Sequence, residues 1–286
     1  MKNNIVMHGD SFASIHGMNS NKYHGNKYKL QFGLDQSWQK LLSDKLDMEI
    51  SEGAARDGVG NDYIVTQLLA LHMHDQVNEG DLHIVITSDW NRKWLVPDHP
   101  GCSHLTNLGR KSFREGILSE LQHSERPKIA KQMDVAYNWR IHNHHESGQL
   151  QYTEQCSLFT AIDYIRKTFG SNILVLPGFE PSCYWVEDTE LQKHLMNFIP
   201  DPNKDVWSVN GYLNFVSLNE FKGDDIKQRL KVRERYFNSV WDTGVDARPC
   251  HLSVENHSIL ANKLYDTIAY NLPLDLEEGF VENIYK

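Results

Sequence analysis

Three residues of this sequence could together form a nucleophilic catalytic site: Ser11, Asp246 and His251. Ser11 ends a Gly-Asp-Ser turn that follows a short apolar run, and glycine permits the sharp bend that exposes a hydroxyl at a strand end. An aspartate shortly before a histidine can orient the imidazole, which leaves the other ring nitrogen to take the serine proton. These residue types predict acyl transfer, provided that the fold brings the two ends of the chain together.

Each of these residues also has a structural interpretation. Ser11 could be the N-cap of a helix that follows the turn, and His251 could be a loop histidine held by backbone groups. His257 is a competing base, but it falls inside the last helix, where we expect a structural role. Cys250 stands beside His251, yet adjacent side chains usually point apart, and a lone thiol is more often structural.

Short apolar runs predict the strands that must position these residues. The first run begins at Ile5 and leads into the Gly-Asp-Ser turn, and further strands are predicted at Asp47–Ser51, Asp81–Thr87 and Asn172–Pro177. The third of these runs is apolar enough to be buried on both faces, as strands of parallel sheets are.

Apolar residues at helical spacing separate these strands. Asn61 is a candidate N-cap for the second helix, and Ser253 for the last. The predicted helices are Trp38–Leu46, Ile64–His72, Leu158–Phe169 and Ser253–Ile268, with weaker signals at 113–121 and 226–241. The alternation of strands and helices predicts βαβ units and a mainly parallel α/β sheet.

The chain is predicted to be a single domain over residues 1–286, with insertions at about 97–153 and 182–223. The run His142–Gly148 in the first insertion is predicted to be a solvated loop. Its histidines, at positions 142, 144 and 145, lack a second ligand set at recognised zinc spacing. We therefore expect no metal site there.

Composition narrows the class of protein. The 286 residues are 40% hydrophobic and 23% charged, which are ordinary globular values, and the net charge of −9 argues against a general nucleic-acid binder. No apolar run is long enough for a membrane span. Four scattered cysteines predict reduced thiols rather than a disulfide framework. Because no signal peptide precedes the first strand, we expect a cytoplasmic protein, with virion association as another possibility.

The sequence resembles the SGNH (GDSL-type) hydrolases, particularly phage-encoded and related bacterial members. Gly9-Asp10-Ser11 matches the nucleophile block, and Gly58 matches the second block, whose glycine N–H donates to the oxyanion. The segment 37–42 is similar to the helix after the serine. His251 with upstream Asp246 matches the final block, together with the downstream residues 255–257 and 260–261.

The resemblance implies a three-layer α/β/α sandwich with a mainly parallel, flavodoxin-like sheet. It also implies ester hydrolysis on lipids, acylated sugars, acyl thioesters or small esters, with no metal or organic cofactor. In this scheme Ser11 is the nucleophile, His251 the base and Asp246 its partner. The backbone N–H groups of Ser11 and Gly58 hold the oxyanion.

Two blocks depart from the family pattern. The third block usually carries Gly-x-Asn-Asp after strand three, but this chain continues Thr87-Ser88-Asp89-Trp90-Asn91-Arg92. Either the Asn91 side chain or the Ser88 hydroxyl is the candidate third oxyanion donor, and losing such a donor costs about 10²–10³ in rate. Arg92 and Trp90 are candidate substrate-binding residues.

The usual Asp-x-x-His is stretched here to Asp246-x4-His251, with Pro249 inside, so the loop must bulge for the carboxylate to reach; Asp242 is a weaker substitute. We therefore predict a serine esterase acting on carboxylic esters, such as acylated carbohydrates or small acyl esters. The alternative is a catalytically weak or inactive SGNH-fold binding or structural module, for which virion association is the expected setting. A thiol enzyme using Cys250 is a more distant third. The sequence indicates neither the acyl group nor the oligomeric state.

Overall fold

A computed structural model describes residues 3–14, 34–56, 59–88, 115, 118–119, 121–143, 148–178, 209–210, 252, 254–276 and 278–281. Four parallel strands form the main sheet in the order β2-β1-β3-β4. They are β1 (Asn4–Gly9), β2 (Glu49–Ala55), β3 (Leu82–Thr87) and β4 (Asn172–Pro177). The predicted α/β class with a parallel sheet is confirmed.

Five α-helices have bounds within the described part of the chain. They are α1 (Trp38–Leu46), α2 (Asn61–Met73), α3 (Arg126–Asn143), α4 (Gly148–Phe169) and α5 (Val254–Tyr270), and a 3-10 turn at Leu34–Gln36 precedes α1. A separate two-stranded parallel sheet pairs β5 (Val209–Asn210) with β6 (Leu274–Asp275). None of the described helices is both long and apolar enough to cross a membrane.

Strand apolarity explains the sheet. Every residue of β3 is buried, as are all of β1 after Asn4 and all of β4 after Asn172. Alternate residues supply two separate apolar clusters, because successive side chains of a strand point to opposite faces. One cluster joins residues such as Met7 and Ile84 to α1 and α5, and the other joins Val85 and Val175 to α2 and α4.

Several predicted boundaries were wrong. The second strand runs from Glu49 to Ala55, beyond the predicted end at Ser51. The N-cap of α2 is Gly60 rather than Asn61, whose side chain binds elsewhere. His142 and Asn143 end a helix instead of opening a loop, and α4 begins at Gly148, inside the predicted insertion.

The helix α3 was missed because its apolar signal is sparse. Its buried residues are Ile129, Met133 and Ala136, while most of the intervening side chains are polar. By contrast, α1 follows its prediction, because Ser37 caps it: the Ser37 hydroxyl accepts from the Lys40 N–H at 3.2 Å. The predicted helix at 226–241, most of the 113–121 segment and the Ser253 cap lie outside the described residues.

Candidate functional site

Ser11 lies in a tight turn at the carboxyl end of β1, which is flanked by β2 and β3. Gly9 makes the turn possible: its φ is +147°, and a Cβ there would lie 2.7 Å from the Ile86 carbonyl oxygen and 2.9 Å from the Ala13 Cβ. A side chain at this position would therefore be both strained and in collision with β3. The result is that β1 ends against β3 with Ser11 half-buried at the edge of the sheet.

Asp10 organises the turn that carries Ser11. Its carbonyl oxygen accepts from the amides of Ala13 and Ser14, each at 3.0 Å, and its Oδ1 accepts from the Phe12 amide at 3.1 Å. The Asp10 side chain is fully buried. These three bonds satisfy the amides of the residues that follow Ser11. In the bond to Phe12, the Asp10 side chain takes the place of a backbone acceptor, as Asp side chains often do in turns.

The helix α1 holds the same turn from the other side. The Phe12 carbonyl accepts from Trp38 Nε1 at 3.2 Å and from Gln39 Nε2 at 3.0 Å. Both donor side chains are fully buried. Since indole and amide donors fix the backbone next to Ser11, α1 positions the turn as well as packing on the sheet.

Ser88, at the end of β3, reaches this turn from the neighbouring strand. Its Oγ lies 3.4 Å from Asp10 Oδ2, and the side chain is fully buried. A carboxylate accepts hydrogen bonds only, so the Ser88 hydroxyl is the donor. This hydrogen bond links the end of β3, where the third block begins, to the Gly9-Asp10-Ser11 turn.

Asn61 closes the network, and sequence reasoning assigned it only a helix cap. Its Oδ1 accepts from the Ser88 amide at 2.8 Å, and its Nδ2 donates to the Ser88 carbonyl at 3.0 Å. The side chain is fully buried at the first residue of α2. A buried amide with paired backbone partners fixes where the chain leaves β3. The asparagine after Gly58-Val59-Gly60 was the available signal.

The residues that flank Gly58 in the second block lie at the same edge of the sheet as the Ser11 turn. The Arg56 amide donates to the Gly9 carbonyl at 2.9 Å, and Val59 and Gly60 are buried. Gly58 itself lies outside the described residues. Its described flanks are nevertheless fixed on both sides, by Gly9 before it and by the Asn61–Ser88 pair after it.

The final block is described from Leu252 onward. Leu252 is 1% exposed and belongs to the same apolar cluster as Phe12 and Trp38. His257 is buried on α5, and its Nδ1 accepts from the Trp38 amide at 3.1 Å. This bond matches the structural role that we predicted for His257, and it ties α5 to the helix that supports the Ser11 turn.

The structure describes two of the predicted site residues: Ser11, which lies in the turn that Asp10 organises, and Ser88, whose Oγ lies 3.4 Å from Asp10 Oδ2. The others lie outside the described residues: Gly58, Trp90, Asn91, Arg92, Asp246 and His251. Within the described part of the chain, no group of three or more His, Cys, Asp or Glu side chains could hold a metal ion. Positions 144 and 145, in the run predicted to be a solvated loop, also lie outside the described residues.

Comparison of the chain with protein-family models, with curated proteins and with solved structures finds no match.

Proposed function

We propose that this protein is a serine esterase with an SGNH-type site, in which Ser11 attacks the carbonyl carbon of a carboxylic ester. The observation that carries the proposal is the position of Ser11 at the carboxyl end of the central strand β1, in a turn that buried hydrogen bonds hold in place. Ligands of open α/β sheets bind at that edge, outside the carboxyl ends of the strands. The neighbouring strands end beside it, where they can supply the remaining groups.

The proposal includes the fold: a three-layer α/β/α sandwich with a flavodoxin-like sheet, formed by the whole chain as one domain. The all-parallel order β2-β1-β3-β4 supports it, because flavodoxin-like sheets share this order. The two apolar clusters, one on each face of the sheet, also support it.

In the proposed mechanism, His251 removes the Ser11 proton while Asp246 stabilises the imidazolium. The alcohol departs with that proton and leaves an acyl-serine, which a water molecule then hydrolyses with the same base. The burial of Leu252 in the cluster that contains Phe12 supports this assignment, because His251 is the residue directly before Leu252. The mechanism uses no metal or organic cofactor.

The proposed oxyanion donors are the N–H groups of Ser11 and Gly58, with the Asn91 side chain as the third. The fixed flanks of Gly58 support the second donor. Ser88 is the weaker candidate for the third, because its hydroxyl is buried and donates to Asp10. Trp90 and Arg92 follow Ser88 in sequence and are proposed to contact the substrate, an acylated carbohydrate or a small acyl ester.

Fluorophosphonate labelling followed by peptide mass spectrometry tests the nucleophile. We expect a single adduct on Ser11 and hydrolysis of short p-nitrophenyl esters, with both lost in Ser11→Ala. Ser14→Ala is the matched control: Ser14 lies in the same turn, is 2% exposed and should leave labelling intact. The proposal would be wrong if the folded wild-type protein neither reacted with the fluorophosphonate nor hydrolysed these esters.

The second candidate is a binding or structural module that keeps the fold without efficient catalysis. The bond between Ser88 and Asp10 favours it, since this commits one of the two candidate oxyanion side chains to the protein. This candidate predicts that Ser11→Ala retains glycan or partner binding in full. A virion-associated place for such a module stays a prediction from sequence.

A further inference from the structure

Three histidines from three elements lie together on the face of the sheet that α2 and α4 cover: His8 on β1, His83 on β3 and His72 on α2. All three side chains are fully buried. The His8 and His83 rings are stacked with centroids 5.2 Å apart, and the His72 ring lies 4.7 Å from that of His83. Phe169 packs on the outer side of His72, at 5.3 Å. None of these rings serves the proposed esterase chemistry.

Hydrogen bonds define how protons are arranged in this trio. His8 Nε2 and His83 Nδ1 lie 3.0 Å apart, so one nitrogen donates and the other accepts. His72 Nδ1 donates to the Leu68 carbonyl at 2.8 Å, because a carbonyl can only accept. In the neutral ring, His72 Nε2 must then accept from the Ser171 hydroxyl at 2.9 Å. His83 Nε2 is buried and has no hydrogen-bond partner among the described residues.

Protonation conflicts with this arrangement. A His83 imidazolium would carry an N–H on Nε2 that faces no described acceptor, and it would place a positive charge about 5 Å from two other rings. Two adjacent imidazolium ions could not share the His8–His83 hydrogen bond, because both facing nitrogens would then be donors. The trio therefore fits the interior only in its largely neutral state.

Among the described residues, the surrounding groups offer little compensation. The carboxylate that acts on His83 is that of Asp81, which already accepts from the amides of Asn4 and Asn78. On β2 the group facing His8 is Gly53, where an added Cβ would lie 2.5 Å from the ring. The end of α4 and the turn into β4 contribute Phe169 and Ser171, which carry no charge.

We propose that His8, His72 and His83 form an acid-sensitive latch, which holds α2 on the sheet at neutral pH and releases it as the pH falls. The latch does not depend on the esterase proposal. It rests on the contacts of three buried rings and on the Nε2 of His83, which meets no hydrogen-bond partner in the described part of the chain.

The pKa values agree in direction with this geometry. Burial is the largest cause that lowers the pKa of each of the three histidines. At His83, the charge on His72 adds to the effect of burial and Asp81 opposes it, and together they lower the pKa of His83 to about 4. His83 and His72 also lower the pKa of His8, whereas the bond to the Leu68 carbonyl opposes the shift at His72. Because the unfolded chain binds these protons more readily, the stabilisation is present above about pH 6.5 and is lost as pH falls towards the folded pKa. As the pH falls from above about 6.5 to below the folded pKa, protonation of His83 alone would raise the unfolding equilibrium constant on the order of a hundredfold.

Denaturant unfolding at pH 7 and pH 5 tests the latch. From pH 7 to pH 5, the unfolding equilibrium constant of the wild type should rise by a factor at least about ten times larger than that of His83→Phe. The phenylalanine keeps a ring at this position but cannot titrate. His74→Gln is the matched control, because His74 is exposed just beyond the end of α2, and its rise should equal that of the wild type. Equal rises in His83→Phe and the wild type would overturn the proposal.

A measurement on the wild-type protein covers the case in which His83→Phe does not fold. In nitrogen-detected NMR of the imidazole rings at pH 5, the latch predicts buried histidines that are neutral in the folded protein beside ordinary protonated ones. It also predicts that hydrogen exchange of the α2 amides, corrected for intrinsic rate, speeds up from pH 7 to pH 5. Protonation of all 15 histidines in a folded protein at pH 5 would overturn it.

Discussion

The Asn61 side chain and the Ser88 backbone form a closed pair of hydrogen bonds, at 2.8 and 3.0 Å, between residues 27 positions apart. Both residues are fully buried. Because Ser88 in turn donates to Asp10, the pair connects the start of α2 and the end of β3 to the turn that carries Ser11.

Asn61→Ala should destabilise the protein by about 1–3 kcal/mol, because it leaves the Ser88 N–H and carbonyl buried without their partner. Asn61→Asp should also be destabilising, since a carboxylate can accept from the amide but cannot donate to the carbonyl. Urea unfolding measures both changes. Thr66→Ala, on the exposed side of α2, is the control and should stay within about 0.5 kcal/mol of the wild type. Equal effects at positions 61 and 66 would mean that the pair contributes nothing to stability.

Gly9→Ala should destabilise the fold by about 2–4 kcal/mol, because it adds a steric clash with Ile86 to an unfavourable φ. Gly170→Ala separates the two effects: Gly170 has a φ of +66° but nothing within 4 Å of an added Cβ. Its cost should be only about 1–2 kcal/mol, from backbone conformation alone. Thermal or urea unfolding of the two variants gives the comparison, and a Gly170 cost as large as that of Gly9 would contradict the close approach of β1 and β3.

Asp10→Ala should be more damaging than Asp10→Asn. The asparagine keeps an oxygen for the Phe12 amide and can present its NH₂ group to the Ser88 Oγ, whereas alanine loses both bonds. We expect about 1–3 kcal/mol for the alanine variant and a smaller loss for asparagine. Urea midpoints at one pH rank the two, and the reverse order would exclude Asp10 as the acceptor for this turn.

His251 and His257 should separate by experiment into a catalytic and a structural histidine. Under the proposed function, His251→Ala abolishes fluorophosphonate labelling of Ser11 with little loss of stability. His257→Ala should instead lower stability by about 1–3 kcal/mol, because the buried Trp38 amide loses its acceptor. Its labelling should persist at temperatures where the variant stays folded. Loss of labelling in folded His257→Ala, with His251→Ala unaffected, would reverse the two roles.

Local sequence patterns predicted the sheet and most of its helices for a physical reason. Apolar runs such as Leu82–Thr87 have to be buried on both faces, which parallel strands achieve. The helix α1 combines an apolar stripe with a serine cap, so its limits could be read from local residues. The helix α3 has a much sparser apolar stripe, and its existence became evident only in the folded chain.

Side-chain roles were harder to predict than elements. As a polar residue at the start of a helix, Asn61 reads as a cap, yet tertiary structure gives its amide two backbone partners on β3. Ser88 reads as an oxyanion donor, yet its hydroxyl meets a buried carboxylate. In both cases the competing partner is distant in sequence, so no local pattern could reveal it.

By itself, the sequence determined the parallel α/β scaffold and the position of Ser11 after a strand-ending glycine. These features depend on burial and backbone conformation, which act over a few neighbouring residues. Only the tertiary structure decided which polar groups meet: Asp10 with Ser88, Asn61 with the end of β3, and His8 and His83 of the sheet with His72 of α2. Hydrogen bonds and ring contacts require specific atoms within a few ångströms, and it is strand order and helix packing that bring such atoms together.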